Sequence, residues 1–487
     1  MVVLVAGAVY SVAVSSNRLT AKLRVPAPGL FLVAAAIIAT YVPGADTVVP
    51  IKAVEQVVTV ALAVILFDGG MHIGWRRFKA AAAPIISLGI IGTFATTAAM
   101  AFLAHSIFDF SWPLSFVIGA ALAPTDPAVV FSVLGPREVA GRSGTILEGE
   151  SGANDPAGIA LMLGVIAYAT SGHTSAAEIG VTFVKQMGIG AAVGVTGGLL
   201  LLQLVRRVPL PNEGLYPLRT LASALTLYGL ASVADGSGFL AVLVAGVVMG
   251  DAQTPYKGEI ERFHSSLASL AEITAFVLLG LTIHVDKLGA GNAWVIGLVL
   301  AVLLTFVVRP LATLPMLLMT KLSPGERGFV AFAGLKGAVP VLLGALAVTG
   351  GVDDSTRIYA VIFVVVALSV FLQGGAIPVA ARICRVHMRV IEQEPWSLGV
   401  RLREEPGHAR RFVVADGSPV DGCAVGDLPF GEKAWVSIVI RNGALLHLRP
   451  DTMLERGDEA LVLSDDDHFA DVERAFRVSR ATGSASS

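Results

Sequence analysis

The stretch Gly149-Glu150-Ser151-Gly152-Ala153-Asn154-Asp155-Pro156 brings a glutamate, a serine, an asparagine and an aspartate within six positions. It belongs to a span, residues 145–170, whose later part from Ala157 to Tyr168 is apolar apart from two glycines. An ionisable side chain at bilayer depth is costly unless paired, solvated or bound, so a carboxylate there marks a functional site by default. Ser151 and Asp155 are four residues apart, as are Glu150 and Asn154, which gathers the polar groups over one helical turn. A helix cap at the membrane surface is the alternative use of the same residues. The chemistry such a set could do is alkali-cation binding. A hard cation asks for carboxylate, hydroxyl and carbonyl oxygens, and the carboxylate of Asp155 can take either that cation or a proton. If it cannot hold both at once, each crossing carries one or the other, and the two fluxes are coupled.

Two more interruptions lie in apolar surroundings. Ala123-Pro124-Thr125-Asp126-Pro127 brackets a threonine and an aspartate with prolines, which remove backbone donors and break a helix. Gly334-Leu335-Lys336-Gly337-Ala338-Val339-Pro340 is a second break, with a lysine in it. Irregular backbone at membrane depth is tolerated only where it lines a cavity or is buried in protein. Arg309, followed by Pro310, sits within the run from Val299 to Met319 and needs an anionic partner, for which Glu150 is the candidate. Asp68, at the end of Leu66-Phe67-Asp68-Gly69-Gly70-Met71, is open between a solvated interfacial position and a cavity lining. His72 reads as interfacial rather than as a proton carrier.

The elements that hold these residues are membrane spans. Of 487 residues 54% are hydrophobic and only 15% charged, against about 25% charged in soluble domains. A spanning helix needs about 20 apolar residues. About thirteen candidates follow, near 1–15, 29–43, 54–71, 82–104, 113–134, 145–170, 177–205, 217–234, 237–250, 266–284, 293–320, 327–349 and 356–383. Met1 to Ser15 lacks a basic n-region and an obvious cleavage site, and reads as a retained span. The least secure division is the turn Asp235-Gly236-Ser237-Gly238. The broken spans are the fifth and the twelfth. That odd offset of seven sets them antiparallel, as inverted six-helix repeats with one linker helix do, and paired interruptions of this kind point to a transporter's binding site. Alternate short loops carry Arg18, Lys22 and Arg24, then Arg76, Arg77 and Lys79, and so on to Arg382 and Arg385. This asymmetry puts the N-terminus outside and the C-terminus in the cytosol.

The expected class is therefore an all-α polytopic membrane protein with a small α+β cytosolic domain at its C-terminus. Residues 1–385 are the membrane domain, 386–406 a linker, 407–480 the soluble domain and 481–487 a disordered end. In the soluble part Arg411–Ala415, Trp435–Ile440 and Ala460–Leu463 read as strands, with a hairpin at Arg441-Asn442-Gly443. Phe469 to Val478 reads as an amphipathic helix. The two cysteines, Cys384 and Cys423, are too few for a disulfide framework or metal cluster. No nucleophile–base pair, P-loop or selectivity-filter sequence such as Thr-Val-Gly-Tyr-Gly is present, which weighs against an enzyme and a channel. A sodium-coupled solute symporter would need more polar groups than the spans supply. Net charge of -2 gives no hint of a nucleic-acid partner.

Thr125-Asp126-Pro127, the Gly149–Pro156 stretch, Arg309 and Gly334-Leu335-Lys336-Gly337 together resemble the cation:proton antiporters of the NhaP type, over nearly all of residues 1–383. The Asn-Asp pair preceded by Glu-Ser resembles the electroneutral branch, and the tail resembles the C-terminal lobe of RCK (TrkA-type) domains, an order similar to the potassium/proton subgroup. The resemblance implies a homodimer in the cell membrane that exchanges K+, or else Na+, for H+ without a cofactor. It leaves open a regulatory ligand at the tail. It further implies Asp155 as the carboxylate binding cation or proton, with Ser151, Thr125 and Asp126 supplying oxygens. Asn154 holds the geometry, and Glu150 pairs with Arg309 beside the site. The family often has Glu near Asp68, so the shorter side chain puts a direct role there in doubt. Where the family often has Arg, this chain has Lys336, which compensates charge at the broken helices.

Overall fold

A computed structural model describes residues 26–42, 44, 49–134, 137–139, 141–171, 175–390, 408–430, 434–441, 444–464 and 469–477. The expected first span at 1–15, most of the linker and the end at 481–487 lie outside the described residues. Two compact units divide at Gln393 and Glu394.

The first unit is helical. It runs through α1 (Ala27–Tyr41), α2 (Ile51–Ile86), α3 (Gly92–Phe108), the bent pair α4 (Trp112–Leu122) and α5 (Pro127–Leu134), and α6 (Arg142–Ser171). It continues through α7 (Ala176–Arg207), α8 (Leu215–Val233), α9 (Gly238–Gly250), α10 (Lys257–Leu281), α11 (Ala293–Leu303) and α12 (Arg309–Leu318). The last four are α13 (Pro324–Phe332), α14 (Ala338–Thr349), α15 (Ser355–Leu368) and α16 (Gly374–Ile383). Three wider π-turns, at Ser87–Ile91, Leu304–Val308 and Ser369–Gln373, join α2 to α3, α11 to α12 and α15 to α16 without a loop. Helices long and apolar enough to cross a membrane include Ile51–Phe108, Ala176–Arg207, Lys257–Leu281, Ala293–Leu318 and Ser355–Ile383.

The expected connection carrying Arg76, Arg77 and Lys79 is a short helical segment set off by two breaks, at Gly74 (φ 64°) and Ala81, where α2 leaves helical geometry. Asp251 Oδ2 accepts the Arg76 N–H at 2.5 Å where the helix restarts. The expected turn at 235–238 is present. Asp235 takes a left-handed conformation (φ 57°), and the Ser237 hydroxyl caps α9 by accepting the Leu240 N–H.

α9 is held between α2 and α7 by glycines on both sides. Gly246 and Gly250 bring its backbone against Phe67, Gly70, Met71 and Gly74 of α2, and Gly190, Gly194 and Gly198 of α7 lie against Ser237, Ala241 and Ala245. A Cβ at Gly70, Gly190, Gly194, Gly246 or Gly250 would overlap the facing chain, and one at Gly198 would crowd Ala245 and Val248. Small residues at four-residue spacing are how helices approach closely where lipid removes the hydrophobic drive. A short ladder, β1 (Arg137–Val139) with β2 (Met388–Val390), pairs the loop between α5 and α6 antiparallel with the chain leaving α16.

The second unit is a four-stranded sheet of β3 (His408–Val413), β4 (Ala434–Arg441), β5 (Ala444–Leu445) and β6 (Glu459–Ser464), followed by α17 (Phe469–Phe476). The order is β3-β6-β4-β5, with β4–β5 the expected hairpin. Its core includes Val420, Val439, Leu454, Ala460, Val462, Val472 and Phe476. The first strand begins earlier than expected, at His408 rather than Arg411, and ends at Val413, because β6 pairs with it from Ser464 to Glu459.

Candidate cation site

The two broken spans meet. α4 ends at Leu122 and α5 starts at Pro127, bent by 41°, with Pro124 denying the helix a donor in between. Asp126 caps α5, its Oδ1 accepting the Ala128 N–H at 2.9 Å. The second break, between α13 and α14, crosses it: the Asp126 N–H donates to the Leu335 carbonyl at 2.8 Å. Lys336 Nζ donates to the carbonyls of Ala123 at 3.1 Å and Pro124 at 2.8 Å, so a buried amine closes the C-terminal end of α4. The glycines beside it are there for clearance. A Cβ at Gly337 would overlap the Asp126 carboxylate, and one at Gly334 the Arg309 guanidinium.

α6 grips the first break at one residue. Asn154 Nδ2 donates to Thr125 Oγ1 at 2.8 Å, Asn154 Oδ1 accepts the Thr125 N–H at 3.3 Å, and the Ser151 hydroxyl donates to the Thr125 carbonyl at 2.6 Å. Behind this grip, Arg309 Nη1 lies 2.5 Å from Glu150 Oε1, both side chains buried. A charge pair so enclosed is costly to break from one side only.

Asp155, Ser151 and Asp126 line a cavity of about 470 Å³, which also takes in Asp68, Glu148 and Glu272. Asp155 is buried, and its Oδ1 has no hydrogen-bond partner among the described residues. Asp68 accepts from the Ser265 hydroxyl at 3.2 Å, and His72, exposed, stands 3.4 Å from its other oxygen. The structure therefore brings Asp68 into the cavity with Asp155. Thr125, Asn154, Glu150, Arg309 and Lys336 lie behind its wall: Thr125 spends its N–H, hydroxyl and carbonyl on α6.

Sequence reasoning passed over Glu272. It sits in the apolar run 266–284, and the rule that singled out Asp155, an acid inside a span, applied to it equally. A carboxylate-lined cavity ending at two crossed helix breaks can offer oxygens to a cation, and a buried carboxylate can take either a cation or a proton.

Residues 7–382 match the sequence profile of the family described as sodium/hydrogen exchanger, transmembrane. The chain belongs to the sodium/hydrogen exchanger family. The tail, residues 409–477, matches the TrkA-C domain. Among relatives of this exchanger, the K(+)/H(+) antiporter NhaP2 of Shewanella oneidensis is 29% identical over 97% of the chain and 83% of its own length. The K(+)/H(+) antiporter NhaP of Alkalimonas amylolytica is 30% identical over 95% and 81%. The Na(+)/H(+) antiporter NhaH of Halobacillus aidingensis is 27% identical over 65% and 80%. The sodium proton antiporter MjNhaP1 from Methanocaldococcus jannaschii shares the fold, with a TM-score of 0.66 and 23% identity over 76% of this exchanger and 97% of that chain. The expected resemblance thus holds for both parts of the molecule, a mostly helical polytopic antiporter fold and a small strand-containing C-terminal domain.

Proposed function

We propose that this exchanger swaps a monovalent cation, K+ in preference to Na+, for H+ across the cell membrane, with Asp155 as the carboxylate for which the two ions compete. The observation that carries the reading is the unpartnered Asp155 oxygen in a cavity that ends where the two breaks cross, in a chain of the sodium/hydrogen exchanger family. Ser151 and Asp126 supply further oxygens. Asn154 and Thr125 fix the first break, Lys336 closes its carbonyl end, the Glu150–Arg309 pair braces α6, and Asp68 stands on the ion's path. The preference for K+ rests on relatives named as K(+)/H(+) antiporters along nearly the whole chain, tail included.

The full reading is a homodimer of thirteen-span protomers built on inverted six-helix repeats, with the N-terminus outside. Residues 407–480 then form a cytosolic regulatory module that responds to a ligand not yet identified. The test is dissipation of a preset ΔpH in proteoliposomes of the purified protein, adding K+, Na+ or Li+ in turn. Dequenching by K+ in the wild type and none in Asp155→Asn is the expected result. Response to Na+ and Li+ alone overturns the cation preference. No response to any cation in folded, inserted protein overturns antiport in favour of a channel or a symporter.

A further inference from the structure

Beside the second break, on the side away from the cavity, a buried amide spans the gap in the helix. Gln373 Nε2 donates to the carbonyl of Phe332, the last residue of α13, at 2.6 Å. Its Oε1 accepts from the Ser369 hydroxyl at 2.9 Å and from the Thr305 hydroxyl at 3.3 Å. The Ser369 oxygen in turn accepts the Lys336 N–H at 3.1 Å. Gln373 and Ser369 are both buried. A continuous chain of hydrogen bonds thus runs from the edge of the break, at Phe332, through Gln373 and Ser369 to Lys336 inside it.

The helices are built to make this reach. Ser369 and Gln373 bound the π-turn at Ser369–Gln373, and Thr305 lies in the π-turn at Leu304–Val308, which leads directly into Arg309. Wider turns of this kind are unfavourable on their own and recur at functional sites. Only an amide meets the demands at position 373, since it must donate at one end and accept two hydroxyls at the other.

We propose that Gln373 is a positioning residue for ion exchange, its side chain setting the shape of the break at 333–337 and, through the Lys336 backbone, the place of the Lys336 ammonium on the Ala123 and Pro124 carbonyls. The line from Gln373 to the cavity has three links. Gln373 and Ser369 fix the Lys336 N–H, Lys336 Nζ fixes the carbonyls of the first break, and that break carries Asp126 into the cavity. Gln373 touches no ion. It acts through the register of one break on the other.

The proposal rests on the exchange reading, and its test separates the two. Gln373→Met keeps the side-chain length and removes both polar ends; Ser369→Ala removes the link between Gln373 and Lys336. Cation-driven ΔpH dissipation by full-length protein in proteoliposomes should show the apparent cation KM of each variant raised at least about tenfold, since each removes two or more buried hydrogen bonds, with the pH of half-maximal rate displaced. The double variant should be no worse than the more severe single one, because both cut the same chain of bonds. Gln373→Asn, which keeps donor and acceptor, should recover part of the loss. Hydrogen exchange of the peptide covering 333–337 should quicken in Gln373→Met, a readout that needs no transport. Wild-type KM and pH profile in Gln373→Met overturn the proposal while leaving antiport intact, as do independent, multiplying effects of the two substitutions. An inactive wild type overturns antiport, and the hydrogen-exchange result then decides the positioning role alone. Should Gln373→Met fail to fold, Ser369→Ala carries the same comparison.

Discussion

The two breaks in the membrane helices use opposite means. The first, from Ala123 to Asp126, is made by prolines and presents oxygen: carbonyls taken up by Lys336 and Ser151, a threonine held by Asn154, and an aspartate that lines the cavity. The second, from Ala333 to Gly337, is made by glycines and presents a cation and N–H groups, with its own carbonyl at Leu335 turned to Asp126. Proline leaves acceptors unmatched, and glycine lets another chain come close. Crossed, the two satisfy each other. One break brings an aspartate to the cavity, and the other holds it in place through Leu335 and Lys336.

The largest effect that would break this contrast is at the carboxylate. Asp155→Asn should bring cation-driven ΔpH dissipation down to that of protein-free liposomes, with the melting temperature in detergent little changed, since Asp155 Oδ1 has no hydrogen bond to lose. Residual exchange by that variant would move the binding role to Asp126.

Next comes the brace behind the site. Arg309→Met leaves Glu150 buried with an uncompensated charge, which costs about 3–5 kcal/mol and should appear as a large fall in Tm. Arg309→Met with Glu150→Met should recover most of it, as buried pairs replaced by apolar side chains often do. Equal destabilisation by single and double variants would mean that the pair's partners extend further than Glu150.

The locking break is tested by Lys336→Met. It strips donors from the carbonyls of Ala123 and Pro124, a loss of about 1–3 kcal/mol in stability. Lys336→Arg, keeping the charge, should lose less. If both variants melt alike, the carbonyls are satisfied from elsewhere.

An effect of similar size lies in the C-terminal unit and gives the buried pair its reference. Arg441 meets Asp458 through two bonds of 2.8 Å, and the Glu455 N–H donates to the same carboxylate at 2.8 Å. Burial raises the Asp458 carboxyl, but these bonds and the Arg441 charge outweigh it and hold the group below its ordinary value. A depressed folded pKa stabilises fully above the unfolded value, about 3.9, and that stability is lost as pH falls through the folded value. Asp458→Asn should therefore cost the tail about 1.5–3 kcal/mol at neutral pH, read by hydrogen exchange of β4 and β6. The gap from wild type should narrow as pH falls below about 3.9. A gap that persists in acid would show that packing, not charge, is at stake.

Much of the site was legible because it offends against its background. Pro124, Asp126, Asp155, Arg309 and Lys336 stand out in apolar runs, and their cost at membrane depth is what makes them conspicuous. What stayed hidden follows the same logic. Gln373 carries no charge, and its role depends on a π-turn that no residue pattern announces. Arg76, Arg77 and Lys79 mark a membrane edge, but Lys, Arg and Ala all favour helix, so the stretch between the breaks at Gly74 and Ala81 is itself wound where charge alone suggested an open loop. The tail's strands were readable from their alternation, whereas the strand order β3-β6-β4-β5 depends on contacts between distant segments.

The glycine seams on either side of α9 bear on how this bundle can deform. Between ordinary helices, side chains can change rotamer and let one rod creep past its neighbour by fractions of a turn. Along Gly246 and Gly250 against α2 main chain rests on main chain, and along Gly190, Gly194 and Gly198 only backbone and the Cβ atoms of Ser237, Leu240, Val244 and Val248 stand opposite, so little is left to re-seat. Such a seam holds its register or parts altogether, so α2, α9 and α7 form one stiff plank. Compliance in the bundle is then left to the faces that border the cavity, where α6 and α10 look across open space at each other.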